Sequence, residues 1–248
     1  MKGLPDLFDG SIEAVIFDLD GVITDTASVH AGAWAALFNG YLEQRDGPDF
    51  APFTDADYLA YIDGKPRYDG VASFLASRGI SLPWGSPDDP AGTETVCGLG
   101  NRKNDLFRSV LATQGASVFP TSVALVAELR DAGIATGCVS SSKNCRFVLD
   151  SVGLLDQFDD IVDGNDAAER SLPGKPAPDT YLDCASRLGV AVDRAAMVED
   201  AVSGVASGAA GGFAHVIGLD RGAGRAALLE NGASVVVDDL GVFVGSGG

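Results

Sequence analysis

A chain of 248 residues, 46% of them apolar, can bury a core in one large domain or two modest ones, which excludes a disordered polypeptide. Its 35 acidic and 17 basic residues leave a formal charge of -18, so the surface repels phosphate backbones, and neither nucleic acid nor an anionic membrane is expected as a partner. No apolar run reaches the ~20 residues of a membrane helix, and Met1 to Asp6 lack the basic-then-apolar pattern of a signal peptide.

In chain order, the apolar run Val15-Ile16-Phe17 reads as a buried strand that ends in Asp18-Leu19-Asp20-Gly21. Residues 29–42 then space Val29, Ala33, Trp34, Leu37, Phe38 and Tyr41 at helical intervals, and residues 58–62, 70–77 and 104–112 also read as helices. Between them, residues 43–54 and 82–95 read as loops rich in Gly, Pro and Asp. From Val118 onward, short apolar runs at 134–139, 160–162, 195–198, 215–217 and 234–237 alternate with amphipathic stretches at 122–131, 144–152, 178–188, 203–210 and 223–231. This alternation predicts an α/β fold, a doubly wound parallel sheet, with an all-helical cap inserted after the first strand. The predicted domains are a core of residues 1–25 with 118–248 and a cap of residues 26–117. Ligands bind beyond the carboxyl ends of strands in such sheets, where the insert emerges, so the cap is placed to act as a lid.

Side chains two apart on an extended segment point the same way, so Asp18 and Asp20 can reach one site, and crowded carboxylates favour a divalent cation. The second core strand runs into Ser140-Ser141-Ser142-Lys143-Asn144, where hydroxyls and backbone N–H groups at a helix start suit an anion or simple capping. Lys175 sits in the stiff Pro173-Gly174-Lys175-Pro176 loop, and the run Met197-Val198 ends in a second acidic pair, Glu199-Asp200. Cys97, Cys138, Cys145 and Cys184 have no metal-ligand spacing, and Cys138 and Cys184 lie in apolar patterns as small core residues. A reducing, cytoplasmic location is expected.

The order Asp-x-Asp-Gly, Ser, Lys, Glu-Asp resembles the four motifs of the haloacid dehalogenase superfamily across nearly the whole chain. The resemblance implies that Asp18 is the nucleophile that becomes an aspartyl phosphate, and that Asp20 is the general acid and base. It further implies Mg2+ held by Asp18, the Asp20 carbonyl and Asp200, with Glu199 close by. Ser140, the Ser141 N–H and Lys175 then neutralise the phosphoryl oxygens.

Within that superfamily, the stretch from Phe17 to Ala27, with His30 and Trp34, is similar to the β-phosphoglucomutase-like branch. That resemblance implies a small phosphorylated sugar as partner, with Arg67, Ser142, Lys143 and Asn144 on its non-reacting phosphate and Lys103 and Asn104 contacting it from the cap. His30 reads as a partner to Asp20 or to the substrate. Trp34 reads as packing, His215 as a structural strand residue and Asp25 as a hinge or cap. The implied reaction interconverts β-D-glucose 1-phosphate and glucose 6-phosphate through a bisphosphate, and the expected state is a monomer. A phosphatase of small sugar phosphates on the same scaffold is the alternative, and a binding protein that has lost catalysis is a third reading.

Overall fold

The computed structural model describes residues 10–245; the N-terminal residues read for a signal peptide lie outside this range. The chain divides into two compact units, one formed by residues up to Asp25 together with those from Ser117 onward, the other by Thr26–Ala116.

The first unit is built on a six-stranded, wholly parallel sheet of order β3-β2-β1-β4-β5-β6. Its strands are β1 (Ala14–Asp18), β2 (Ala135–Val139), β3 (Asp160–Val162), β4 (Ala195–Glu199), β5 (His215–Leu219) and β6 (Val235–Val237). All five residues of β1 and of β4 are buried, as expected for strands covered on both faces, whose sequences read as continuous apolar runs. The covering helices are α5 (Pro120–Asp131), α6 (Cys145–Ser151), α7 (Gly164–Arg170), α8 (Asp179–Leu188), α9 (Val202–Gly211) and α10 (Arg225–Glu230). β1 pairs with β2 on one side and β4 on the other, so the direction of winding reverses between β1 and β4, the position where such sheets bind ligands. Tyr181, Cys184 and Ala185 of α8 pack with Ile16, Val139 and Met197 of the sheet. His215 lies at the start of β5, and all four cysteines are buried thiols.

The second unit is all helical: α1 (Ala27–Asp46), α2 (Asp55–Tyr61), α3 (Arg67–Ser77) and α4 (Val96–Gln114). Its core is aromatic. Phe38 lies 4.1 Å from Phe74, 5.2 Å from Phe53 and 5.3 Å from Trp34, centroid to centroid, and the Trp34 ring stacks nearly parallel to it.

Three local expectations need correction. Residues 43–46, expected in a loop, continue α1, which stops at Gly47 with its φ of 83°. α4 begins at Val96 rather than Asn104, because the Thr95 hydroxyl accepts from the Gly98 N–H and caps it; Gly98 and Gly100 had diluted the apolar pattern. α7 was not expected, since Gly164-Asn165-Asp166-Ala167-Ala168-Glu169-Arg170 has no apolar stripe. What starts it is a reciprocal cap in which the Asp163 carboxylate accepts from the Asn165 and Asp166 N–H groups while the Asp166 carboxylate accepts from the Asp163 N–H.

Candidate active site

The four motif regions of the sheet unit converge through strand order. Asp18 is the last residue of β1, Ser140 follows β2, and Glu199 is the last residue of β4, while register aligns Asp18 with Val139 and Phe17 with Val198. The turn after β1 is tight: the Gly21 N–H donates to the Thr24 carbonyl at 2.8 Å, and Gly21 has a φ of 88°. Any side chain at Gly21 would overlap the Asp200 carboxylate, so the glycine serves both the turn and the approach of that acid.

Lys175 is buried, not a solvated surface lysine. Its ammonium donates to Asp18 and, at 2.5 Å, to Glu199 Oε1, and it lies 5.2 Å from the centre of the Tyr181 ring. The peptide bond that follows it, Lys175-Pro176, is cis. Tyr181 donates its hydroxyl to the same Glu199 oxygen at 3.0 Å, and the Ala201 N–H donates to Glu199 Oε2 at 2.8 Å. Gly204 leaves room for this carboxylate, which a side chain there would strike. Glu199, 0% exposed, is therefore satisfied by three donors and fixes the lysine beside Asp18.

Electrostatics follow from burial. Burial pushes the Asp18 carboxyl well above its ordinary value; the Lys175 ammonium opposes this, and the Glu199 and Asp20 charges add to it. For Lys175, burial disfavours the charge, but Asp18 and Glu199 outweigh it and hold the ammonium well above its ordinary value. Burial and then the Glu199 carboxylate push the Tyr181 phenol up, so that it remains a donor.

Asp18, Glu199 and Asp200 each offer an oxygen within 4.8 Å of the others. An all-carboxylate donor set suits a hard divalent ion such as Mg2+. With Glu199 engaged by three donors, Asp18 and Asp200 are the better ligands. The Asp20 side chain is outside this trio, although its charge reaches Asp18.

The serine run folds as a pair of successive hydroxyl turns. The Ser140 hydroxyl accepts from the Ser142 N–H at 3.0 Å and the Ser142 hydroxyl from the Asn144 N–H at 3.1 Å, which winds Ser140 to Asn144 into the start of α6. Ser140 and Asn144 are buried, whereas Ser141, Ser142 and Lys143 are half-buried.

The helical unit has its own polar groups. Arg67, the first residue of α3, donates to Asn104 Oδ1 at 2.9 Å, and Tyr68 donates to Asn101 Oδ1 at 2.9 Å. Lys103, 4% exposed, lies 2.7 Å from His30 Nδ1, with its ammonium 5.0 Å from the Trp34 ring centre and 4.7 Å from that of Phe107. His30 thus pairs with Lys103 and lies against Phe107, their ring centres 4.0 Å apart. Tyr181 is not among the residues expected at the site, because a tyrosine on an amphipathic helix carries no local sign of its distant partner Glu199.

A sequence profile of the haloacid dehalogenase-like hydrolases matches residues 12–212. The chain is 51% identical over 246 residues to a β-phosphoglucomutase of Mycobacterium bovis, covering 96% of this chain and 92% of that one. It is 33% identical over 209 residues to the β-phosphoglucomutase of Bacillus subtilis, covering 84% of each. The crystal structure of a β-phosphoglucomutase from Clostridium difficile superposes with a TM-score of 0.75 at 26% identity, covering 93% of this chain and 92% of that one. The chain belongs to the haloacid dehalogenase superfamily and, within it, to the β-phosphoglucomutase-like phosphoryl-transfer enzymes.

Proposed function

We propose that the protein is a Mg2+-dependent mutase that interconverts β-D-glucose 1-phosphate and glucose 6-phosphate through a 1,6-bisphosphate and a phosphorylated Asp18. The observation that carries this reading is the buried set Asp18–Lys175–Glu199 with the half-buried Asp200 beside it, at the reversal of the sheet, in a chain half identical to a β-phosphoglucomutase. Asp18 Oδ attacks phosphorus, the bond from phosphorus to the sugar oxygen breaks, and Asp20 gives that oxygen its proton. Asp20 then takes the proton of the next sugar hydroxyl as that oxygen attacks the phosphoenzyme. Lys175, Ser140 and the Ser141 N–H offset charge on the phosphoryl oxygens. Held by Asp18, the Asp20 carbonyl and Asp200, with Glu199 close by, Mg2+ would supply further neutralisation of those oxygens.

A mutase must bind two phosphates, and Arg67, Ser142, Lys143 and Asn144 are the proposed groups for the second, with Lys103, Asn104 and His30 binding the sugar. Guanidinium can grip phosphate with two parallel hydrogen bonds, which suits an intermediate that must be held while it turns. The working form is a cytoplasmic monomer. Arg67→Ala should lower mutase flux far more than hydrolysis of an aryl phosphate, which has one phosphate. Equal losses in the two assays would count against a second phosphate site and favour a phosphatase. Asp18→Asn should form no phosphoenzyme with radiolabelled bisphosphate, and labelling of that variant would sink the mechanism.

A further inference from the structure

We infer that Arg221 is a positioning residue for the acid–base turn that follows β1, an inference that rests on the role proposed above for Asp20. Arg221 lies two residues beyond β5, in a loop folded by the Asp220 carboxylate, which accepts from the Gly222 and Gly224 N–H groups at 3.1 Å. From there its Nε donates to the Gly21 carbonyl and its Nη1 to the Asp238 carbonyl, each at 3.3 Å. The guanidinium carbon sits 3.9 Å from the centre of the Phe119 ring. Phe119 is itself fastened to the same turn, its N–H donating to the Ile23 carbonyl at 3.0 Å, next to the bridge that pairs Thr24 with Val118.

Gly21 is thereby fixed from three directions. Its N–H is held by Thr24, its α-carbon is packed against the Asp200 carboxylate, and its carbonyl is held by Arg221. Asp20 is the residue directly before it, so the turn that Arg221 holds one peptide further on is the turn that sets the direction of the Asp20 carboxyl. Arg221 Nη2 is buried with no hydrogen-bond partner. A desolvated guanidinium nitrogen left unpaired weighs against folding. The Gly21 hydrogen bond and the Phe119 ring contact both tie this arginine to the turn that carries Asp20.

The experiment exploits the leaving group. When a sugar bisphosphate phosphorylates Asp18, the departing sugar oxygen needs a proton from Asp20. When acetyl phosphate does so, acetate departs without one. A residue that only supports the fold lowers both rates together, but one that aims Asp20 lowers the first selectively. Single-turnover phosphorylation of Arg221→Met by glucose 1,6-bisphosphate should fall by about tenfold or more, the scale of a lost hydrogen bond to a charged donor, while the acetyl phosphate rate stays close to that of the parent. Arg221→Lys, which keeps a cation, supplies the same comparison should the methionine variant fail to fold. Equal losses with both donors, or no loss with either, would overturn the inference. Asp20→Ala is measured alongside. If it shows no dependence on the leaving group, the role given to Asp20 fails; if it does and the Arg221 variants do not, the inference alone fails.

Discussion

Glu199 illustrates what a single buried carboxylate can organise. Its two oxygens accept from Lys175, Tyr181 and the Ala201 N–H, so removing it takes the acceptor from the Tyr181 phenol and leaves the Lys175 ammonium with Asp18 as its remaining carboxylate. Breaking one partner of a buried pair of this kind costs about 3–5 kcal/mol, so Glu199→Ala should unfold at a much lower urea concentration than the parent. Tyr181→Phe removes one hydroxyl and keeps the ring beside Lys175, and should cost only about 1 kcal/mol in the same titration. Equal destabilisation by the two substitutions would mean that the carboxylate is not the hub the distances describe.

Elements carry their own signals at their ends. Thr95 caps α4 and should cost about 1 kcal/mol when replaced by alanine, read as a shift in the urea midpoint. Asp166 closes the cap of α7. Burial tends to raise its pKa, but the Asp163 N–H and then Arg146 and Arg187 outweigh that and lower it below the ordinary 3.8. A depressed folded pKa contributes stability that is present above the unfolded value and is lost as pH falls through the folded one. Asp166→Asn should therefore be less stable than the parent at neutral pH, and the difference should shrink as pH drops below about 3.8. A difference that stays constant over that range would contradict the assignment.

The same ends mark how far the sequence could be read. β1 and β4 were legible because strands buried on both faces are written as unbroken apolar runs that stop at polar residues, and those polar residues are the candidate site. α7 was not, because it is held by a reciprocal cap and by arginine–carboxylate pairs to Arg146, Arg170 and Arg187 rather than by an apolar stripe. The contacts of Tyr181, Asn101 and Arg221 were hidden for another reason. Each depends on a partner far along the chain (Glu199, Tyr68 and Gly21), which no local pattern reports.

For the whole molecule, the charge of -18 means that the folded chain works against its own repulsion. Sodium chloride screens such repulsion, so the melting temperature should rise between very low and physiological ionic strength, and a fall would show that attractive pairs dominate instead. Mg2+ should raise it further in the parent by binding the native state, and much less in Asp200→Asn.

Phosphorus NMR distinguishes the proposed mutase from a phosphatase on the intact protein with Mg2+, β-glucose 1-phosphate and a trace of β-glucose 1,6-bisphosphate. For a mutase, the glucose 1-phosphate resonance is replaced by that of glucose 6-phosphate with little inorganic phosphate. Inorganic phosphate growing in step with loss of substrate would make the enzyme a phosphatase instead.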